Sequence, residues 1–294
     1  MARDLVATAK RRAPAYVMDD ELMSSESMAG QVAVVTGASR GIGRALAVHL
    51  AGRGAAVAGL ARPGDDLDSL AGEAGPAQLL PLPADVTSPE QVQRAFEAVS
   101  ERFGGPTLVV ACAGTASALG PAWSADPGGW WRAVGVDLLG TMITAGSAIR
   151  MMRPAGSGRI VNVYGNLGDR QRGNVSAFAV AKAGIARLTE SLACELDGSG
   201  VRVFAMHPGF VRTPMTEMLA WSEQGRAWLP EFGPGAEERW GDARAAADLV
   251  MAIASGAADE LTGRVLWAGD DLAALAARCL ADPDYRRLRF VRDG

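Results

Sequence analysis

Gln31-Val32-Ala33-Val34-Val35-Thr36-Gly37-Ala38-Ser39-Arg40-Gly41-Ile42-Gly43 is the stretch whose reading decides the fold of this chain. The apolar run from Gln31 to Val35 reads as a buried strand, and the glycine-rich turn after it opens into a helical run from Arg44 to Gly52. Glycines let the backbone approach a pyrophosphate closely. The helix that starts there offers unpaired N–H groups and the positive end of its dipole. A glycine pattern alone is a weak signal, but here the strand precedes it and the helix follows it, as the mechanism requires. The turn is therefore expected to cradle a dinucleotide through Gly37, Ser39, Arg40, Gly41, Ile42 and Gly43.

Working outward, strand candidates at Val57 to Ala61, Leu79 to Leu82, Leu108 to Ala111, Arg159 to Val163, Val201 to Met206 and Gly263 to Trp267 alternate with helical runs. Such alternation predicts an α/β fold, a doubly wound parallel sheet of Rossmann type with helices on both faces. Right-handed crossovers then put the functional loops at the carboxyl ends of the strands. The expected division is a flexible arm over residues 1–29, one domain over 30–270 and a C-terminal helix and tail over 271–294. Within the domain, residues 213–242 carry Trp221, Trp228, Phe232 and Trp240 among glycines and prolines and read as a lid.

Composition narrows the function. The chain has 294 residues, about half of them apolar, enough for a sizeable core, and its net charge of −4 leaves no electrostatic footprint for nucleic acid. Cys112, Cys194 and Cys279 show no metal-ligand spacing and lie in apolar runs, so they are expected to be small core residues in a reducing compartment, with no metal site. No apolar run approaches a membrane span, and the first 28 residues lack the apolar segment of a signal peptide. A cytoplasmic protein acting on a small molecule is expected.

Over roughly Met28 to Trp267 the chain resembles the short-chain dehydrogenase/reductase family. Thr36 to Gly43 fits the family's T-G-x-x-x-G-x-G turn, Asp85-Val86 its adenine-contacting pair, Ala113-Gly114 the second half of its N-N-A-G strand end, and Pro208-Gly209 with Thr213 the segment that holds the nicotinamide. The resemblance implies a homodimer or homotetramer paired through helices near 128–151 and 176–197. Cofactor choice follows from the residues. An acid at the end of the second strand would hold a ribose 2′-hydroxyl and repel a 2′-phosphate. Here Ala61 is followed by Arg62, with Arg40 in the glycine turn, and two guanidiniums grip a phosphate, so NADP(H) is expected.

The resemblance fails where chemistry would happen. The family's Asn, Ser, Tyr and Lys map onto Asp137, Gly165, Phe178 and Lys182, so only the lysine survives. Phenylalanine has no proton to move and glycine no hydroxyl. Loss of a positioned acid or an oxyanion donor typically removes about 10²- to 10⁴-fold in rate each. Candidate stand-ins are Tyr164, whose strand position can turn it away from the pocket, and His207, which could titrate near neutrality. The loop Asp169-Arg170-Gln171-Arg172 is a candidate for bringing charge over the pocket. Asp137, at the asparagine's place, is expected to pair with Lys182 and make it an anchor for the nicotinamide ribose.

Three readings stand at this point: an NADP(H)-dependent oxidoreductase with an altered mechanism, a redox-neutral isomerase, cyclase or dehydratase on the same scaffold, and a catalytically silent subunit. Trp130 and Trp131 before Asp137, with Trp221 and Trp228 in the lid, predict a bulky apolar or aromatic ligand such as a secondary-metabolite intermediate. Packing in the core is the competing use of these rings.

Overall fold

The computed structural model describes residues 27–74, 78–168, 170–233 and 235–289. Seven strands, β1 (Val32–Thr36), β2 (Ala56–Ala61), β3 (Leu79–Pro83), β4 (Leu108–Ala111), β5 (Gly158–Val163), β6 (Val201–His207) and β7 (Val265–Trp267), form one sheet in the order β3-β2-β1-β4-β5-β6-β7. Every pairing is parallel. The order reverses between β1 and β4, and in such sheets the carboxyl ends of the strands at this switch point form the binding crevice.

Helices cover both faces: α1 (Gly41–Gly52), the short α2 (Asp65–Asp68) and α3 (Ala71–Ala74), α4 (Pro89–Phe103), α5 (Pro127–Val134), α6 (Gly140–Ala155), α7 (Ser176–Glu195), α8 (Pro214–Trp221), α9 (Glu223–Trp228), α10 (Arg244–Ser255) and α11 (Leu272–Ala281). Strand alternation sorts the core into two layers. Ala33, Val35, Val57, Val110, Val161 and Phe204 face α1 and α10, while Val34, Ala58, Leu60, Val109, Ile160 and Val203 face α4 and α6. In α4, Ser88 caps the first turn by accepting from Gln91 N, Pro89 occupies a position that needs no donor, and Gly104 ends the helix. Val92, Ala95, Phe96 and Val99, at helical spacing, are buried. Full burial of a Val or Phe side chain contributes about 1.5–3 kcal/mol.

The ends of the chain differ from the expected division. Residues 1–26 of the expected arm lie outside the described residues. Met28, also assigned to it, is buried against the core and donates its N–H to Arg53 O. The last strand starts at Val265 and not at Gly263, whose φ is +79. The segment after α11 folds back along β7, with Val265 N donating to Arg286 O. Leu288 N and Arg289 meet the buried carboxylate of Glu190. Of the cysteines only Cys279 is fully buried. Cys194 is exposed, because its place on α7 turns it outward.

Candidate active site

The glycine turn is built by close approach. Gly37 has φ +69, and a β-carbon on it would lie 2.9 Å from Ala113 Cα, so only glycine lets β1 and β4 end side by side. Thr36 Oγ1 reinforces the join by accepting from the N–H groups of Cys112 and Ala113. The first turn of α1 has no side-chain cap and no acidic residue, which leaves its backbone donors for an anion. Arg40 and Arg62 are exposed. Arg62 also helps to depress the Asp85 carboxyl, after the larger effect of hydrogen bonds from Thr87. Thr213, which caps α8, comes within 3.4 Å of a β-carbon built on Gly41, so the expected nicotinamide segment closes on the turn. Gly209 faces open space with φ +82. A cradle with free donors, two exposed guanidiniums and an open backbone edge fits a phosphorylated dinucleotide.

At the crevice, α5 runs into a π-helical segment, Gly135–Leu139, before α6. Such bulges recur at functional sites because they re-aim one side chain. Here that side chain is Asp137, which is fully buried. Its Oδ1 accepts from Thr115 N at 2.7 Å, just past Ala113-Gly114, and its Oδ2 lies 3.4 Å from Lys182 Nζ. Lys182 also donates to Val163 O at 3.1 Å, and its ammonium stands 5.2 Å from the centre of the Phe178 ring. Burial raises the Asp137 carboxyl above the usual carboxylate range, opposed by Lys182 and by the Thr115 N–H.

The two departures at Gly165 and Phe178 meet in space. A β-carbon on Gly165 would stand 3.2 Å from Phe178 Cε1 and 3.4 Å from Lys182 Cγ. The phenyl ring belongs to an apolar cluster with Val175, Leu219 and Leu229, to which Met215, Met218 and Phe232 add. Residues 213–242, expected to be a lid because of their tryptophans, therefore give this cluster mainly aliphatic and methionine side chains.

The proposed stand-ins fare differently. Tyr164 is buried among Ala186, Ala205 and Val265. His207 does not titrate near neutrality as expected. Burial, helped by Arg170 and Arg286, pushes it down to about 4, its Nδ1 accepts from Gly209 N, and its ring stacks on Trp267 at 4.5 Å. Of the expected charged loop, Asp169 lies outside the described residues and Arg172 forms an ion pair with Glu231. Trp131, Trp221 and Trp228 are exposed, not core. Trp130 and Trp131 stack at 6.0 Å and, with Ala122, Ala125, Pro127 and Ser176, line a groove of about 540 Å³. Three contributors escaped the sequence reading: the Thr115 N–H, the Val163 carbonyl, and Arg44, whose guanidinium holds Ser39 O and Glu73 behind the glycine turn. Backbone groups carry no sequence signal, and Arg44 looked like one more arginine in an arginine-rich chain.

The family model for short chain dehydrogenases matches residues 31–224, the span that holds both the cradle and the Asp137–Lys182 pair. The chain belongs to the short-chain dehydrogenase/reductase family. This short-chain dehydrogenase/reductase is 40% identical over 196 residues to the cis-4-hydroxycyclohexanecarboxylate dehydrogenase of Sinomonas cyclohexanicum, covering 66% of this chain and 78% of that protein. It is 34% identical over 244 residues to the 3-oxoacyl-[acyl-carrier-protein] reductase FabG of Vibrio cholerae serotype O1, covering 82% and 96%. Among solved structures, levodione reductase superposes with a TM-score of 0.74 at 30% identity, over 84% of this chain and 99% of that one. These relatives are dehydrogenases and reductases, so this short-chain dehydrogenase/reductase has its kinship with oxidoreductases, in a family that binds a nicotinamide cofactor. No helix among the described residues is long and apolar enough to cross a membrane.

Proposed function

We propose that the chain is an NADP(H)-dependent oxidoreductase that works without the family's tyrosine acid and acts on a bulky, apolar, ring-shaped small molecule. One observation carries this reading. The ammonium of Lys182 is held by Asp137 and Val163 O against a phenyl ring, where a hydroxyl would be needed to deliver a proton to a substrate oxygen. The cradle from Gly37 to Gly43, with Arg40 and Arg62, would hold the phosphates, and Lys182 with Pro208, Gly209 and Thr213 would hold the nicotinamide end. Bound there, the cofactor supplies hydride chemistry.

The chain's own groups set the rest. Asp137 holds the Lys182 side chain in place, and Phe178 with the lid residues Leu219 and Leu229 excludes water. The fitting acceptor is a conjugated C=C, an iminium or a quinone-like system, which needs no proton at oxygen from position 178. The ring in the name of the Sinomonas relative supports a cyclic substrate. Leu139, Met142 and Val180 are 42%, 44% and 48% exposed on the helices that pair in the family, which supports a homodimer or homotetramer.

The missing hydroxyls at 165 and 178 equally favour a redox-neutral catalyst as a second reading. Nicotinamide absorbance, followed with cyclic enones, iminiums, quinones and simple ketones, separates the two. Oxidation of NADPH by the first three classes supports the oxidoreductase, and product without an absorbance change supports the second reading. Turnover of simple ketones would overturn the altered mechanism.

A further inference from the structure

Arg286 lies beyond the residues that the family model matches, in the segment that follows α11. With Asn174 it is one of two non-glycine residues of positive φ among the described residues, at +63. A non-glycine side chain keeps such a backbone only where its surroundings over-determine it. Here they do. The Arg286 carbonyl accepts from Val265 N at 3.0 Å, and Arg264 holds the carbonyls of Pro283 and Tyr285 at 2.9 and 2.8 Å.

The guanidinium lies against the end of β7. It pairs with Asp270 at 2.8 Å and stands 5.4 Å from the centre of the Trp267 ring. Asp270 uses its other oxygen to accept from Trp267 N at 2.7 Å, so one carboxylate fastens both the cation and the backbone of the residue beneath it. The Trp267 indole stacks on His207 at 4.5 Å with 19° between planes. His207 O accepts from Ala268 N, and its Nδ1 accepts from Gly209 N at 3.0 Å. Each contact fixes the next. The chain of contacts ends on the Pro208-Gly209 segment, where Gly209 has φ +82 and open space beside its α-carbon.

We propose that Arg286 is a positioning residue for the nicotinamide end of the cofactor site, acting through Trp267 and His207 on the backbone of Pro208-Gly209. The inference rests on the reading of the crevice as an NADP(H) site. Arg62, which would hold the adenosine end, follows β2, on the far side of β1 from β6 and β7, and takes part in none of these contacts. Arg286 therefore affects one half of the dinucleotide only.

The test uses the full chain and isothermal titration with two probes, NADPH and 2′-phospho-ADP-ribose, which lacks the nicotinamide. Arg286→Gly keeps the left-handed backbone without strain and removes the guanidinium. It is expected to weaken NADPH about three- to tenfold, the range of coupling through packed contacts, and to leave 2′-phospho-ADP-ribose unchanged. Asp270→Asn keeps an acceptor for Trp267 N, breaks the ion pair, and should shift the two probes in the same unequal way. Equal weakening of both probes, or no weakening of either, overturns the inference while the cofactor reading stands. An unaltered protein that binds neither probe overturns the cofactor reading itself.

Discussion

Phe178 fills the space that a side chain on Gly165 would need, its Cε1 standing 3.2 Å from where that β-carbon would begin. The two positions thus share one space: the ring lies where a side chain on Gly165 would begin. Gly165→Ser alone should destabilise the fold by about 1–3 kcal/mol through overpacking, seen as a lower thermal midpoint. Phe178→Tyr with Gly165→Ser should raise ketone reduction above the background of the unaltered protein, since Lys182 is already present. No gain from the pair in an NADPH-coupled assay would show that the pocket, and not the missing acid, prevents ordinary reduction.

The Asp137–Lys182 pair should respond as a unit. Lys182→Met leaves a buried carboxylate uncompensated, at a cost of about 3–5 kcal/mol, whereas Lys182→Met with Asp137→Leu should lie close to the unaltered protein in stability. Cofactor binding should stay weak in both. Because burial raises Asp137, its contribution is fully present below the ordinary carboxylate range and is lost as pH rises through the raised value. Without Lys182 that value climbs further, so the single variant should recover stability on acidification. Additive denaturation free energies would show that the two side chains do not meet.

Arg62→Asp, with Ala61 unchanged, should weaken NADPH by about 1–3 kcal/mol, the scale of charge-assisted hydrogen bonds, and leave NADH nearly unaffected. Titration calorimetry decides it. Equal affinity of the unaltered protein for both cofactors would remove the argument for a 2′-phosphate.

His207, pushed down to about 4, should remain neutral through the whole working range. Its folded value lies below the ordinary 6.5, so the stability it contributes is present above 6.5 and drains away as pH falls toward 4. The chain has two histidines, so ring-proton NMR can follow His207 directly. An inflection near neutrality for the ring stacked on Trp267 would contradict this.

Met142→Glu with Val180→Glu puts two charges on the exposed apolar faces of α6 and α7. Light scattering should show a smaller assembly with unchanged circular dichroism. An unchanged mass would move the interface elsewhere.

Much of the fold is legible in the sequence alone. The strand, glycine turn and helix from Gln31 to Gly52, and the alternation that follows, are local patterns of period and backbone freedom, and local patterns survive in the sequence. The mapping of Asp137, Gly165, Phe178 and Lys182 rests on motif order and needed no contact. What the tertiary structure decided depends on distances across the chain. His207 reads as a neutral-pH titrator until β7 lays Trp267 on it and burial removes water. Trp131, Trp221 and Trp228, which suit a core, are exposed on α5, α8 and α9, since helix phase, not hydrophobicity, sets their direction. Arg286, separated by 79 positions from His207, is one of many arginines in the sequence. Only folding, by bringing the tail back along β7, sets it beside Trp267 and Asp270.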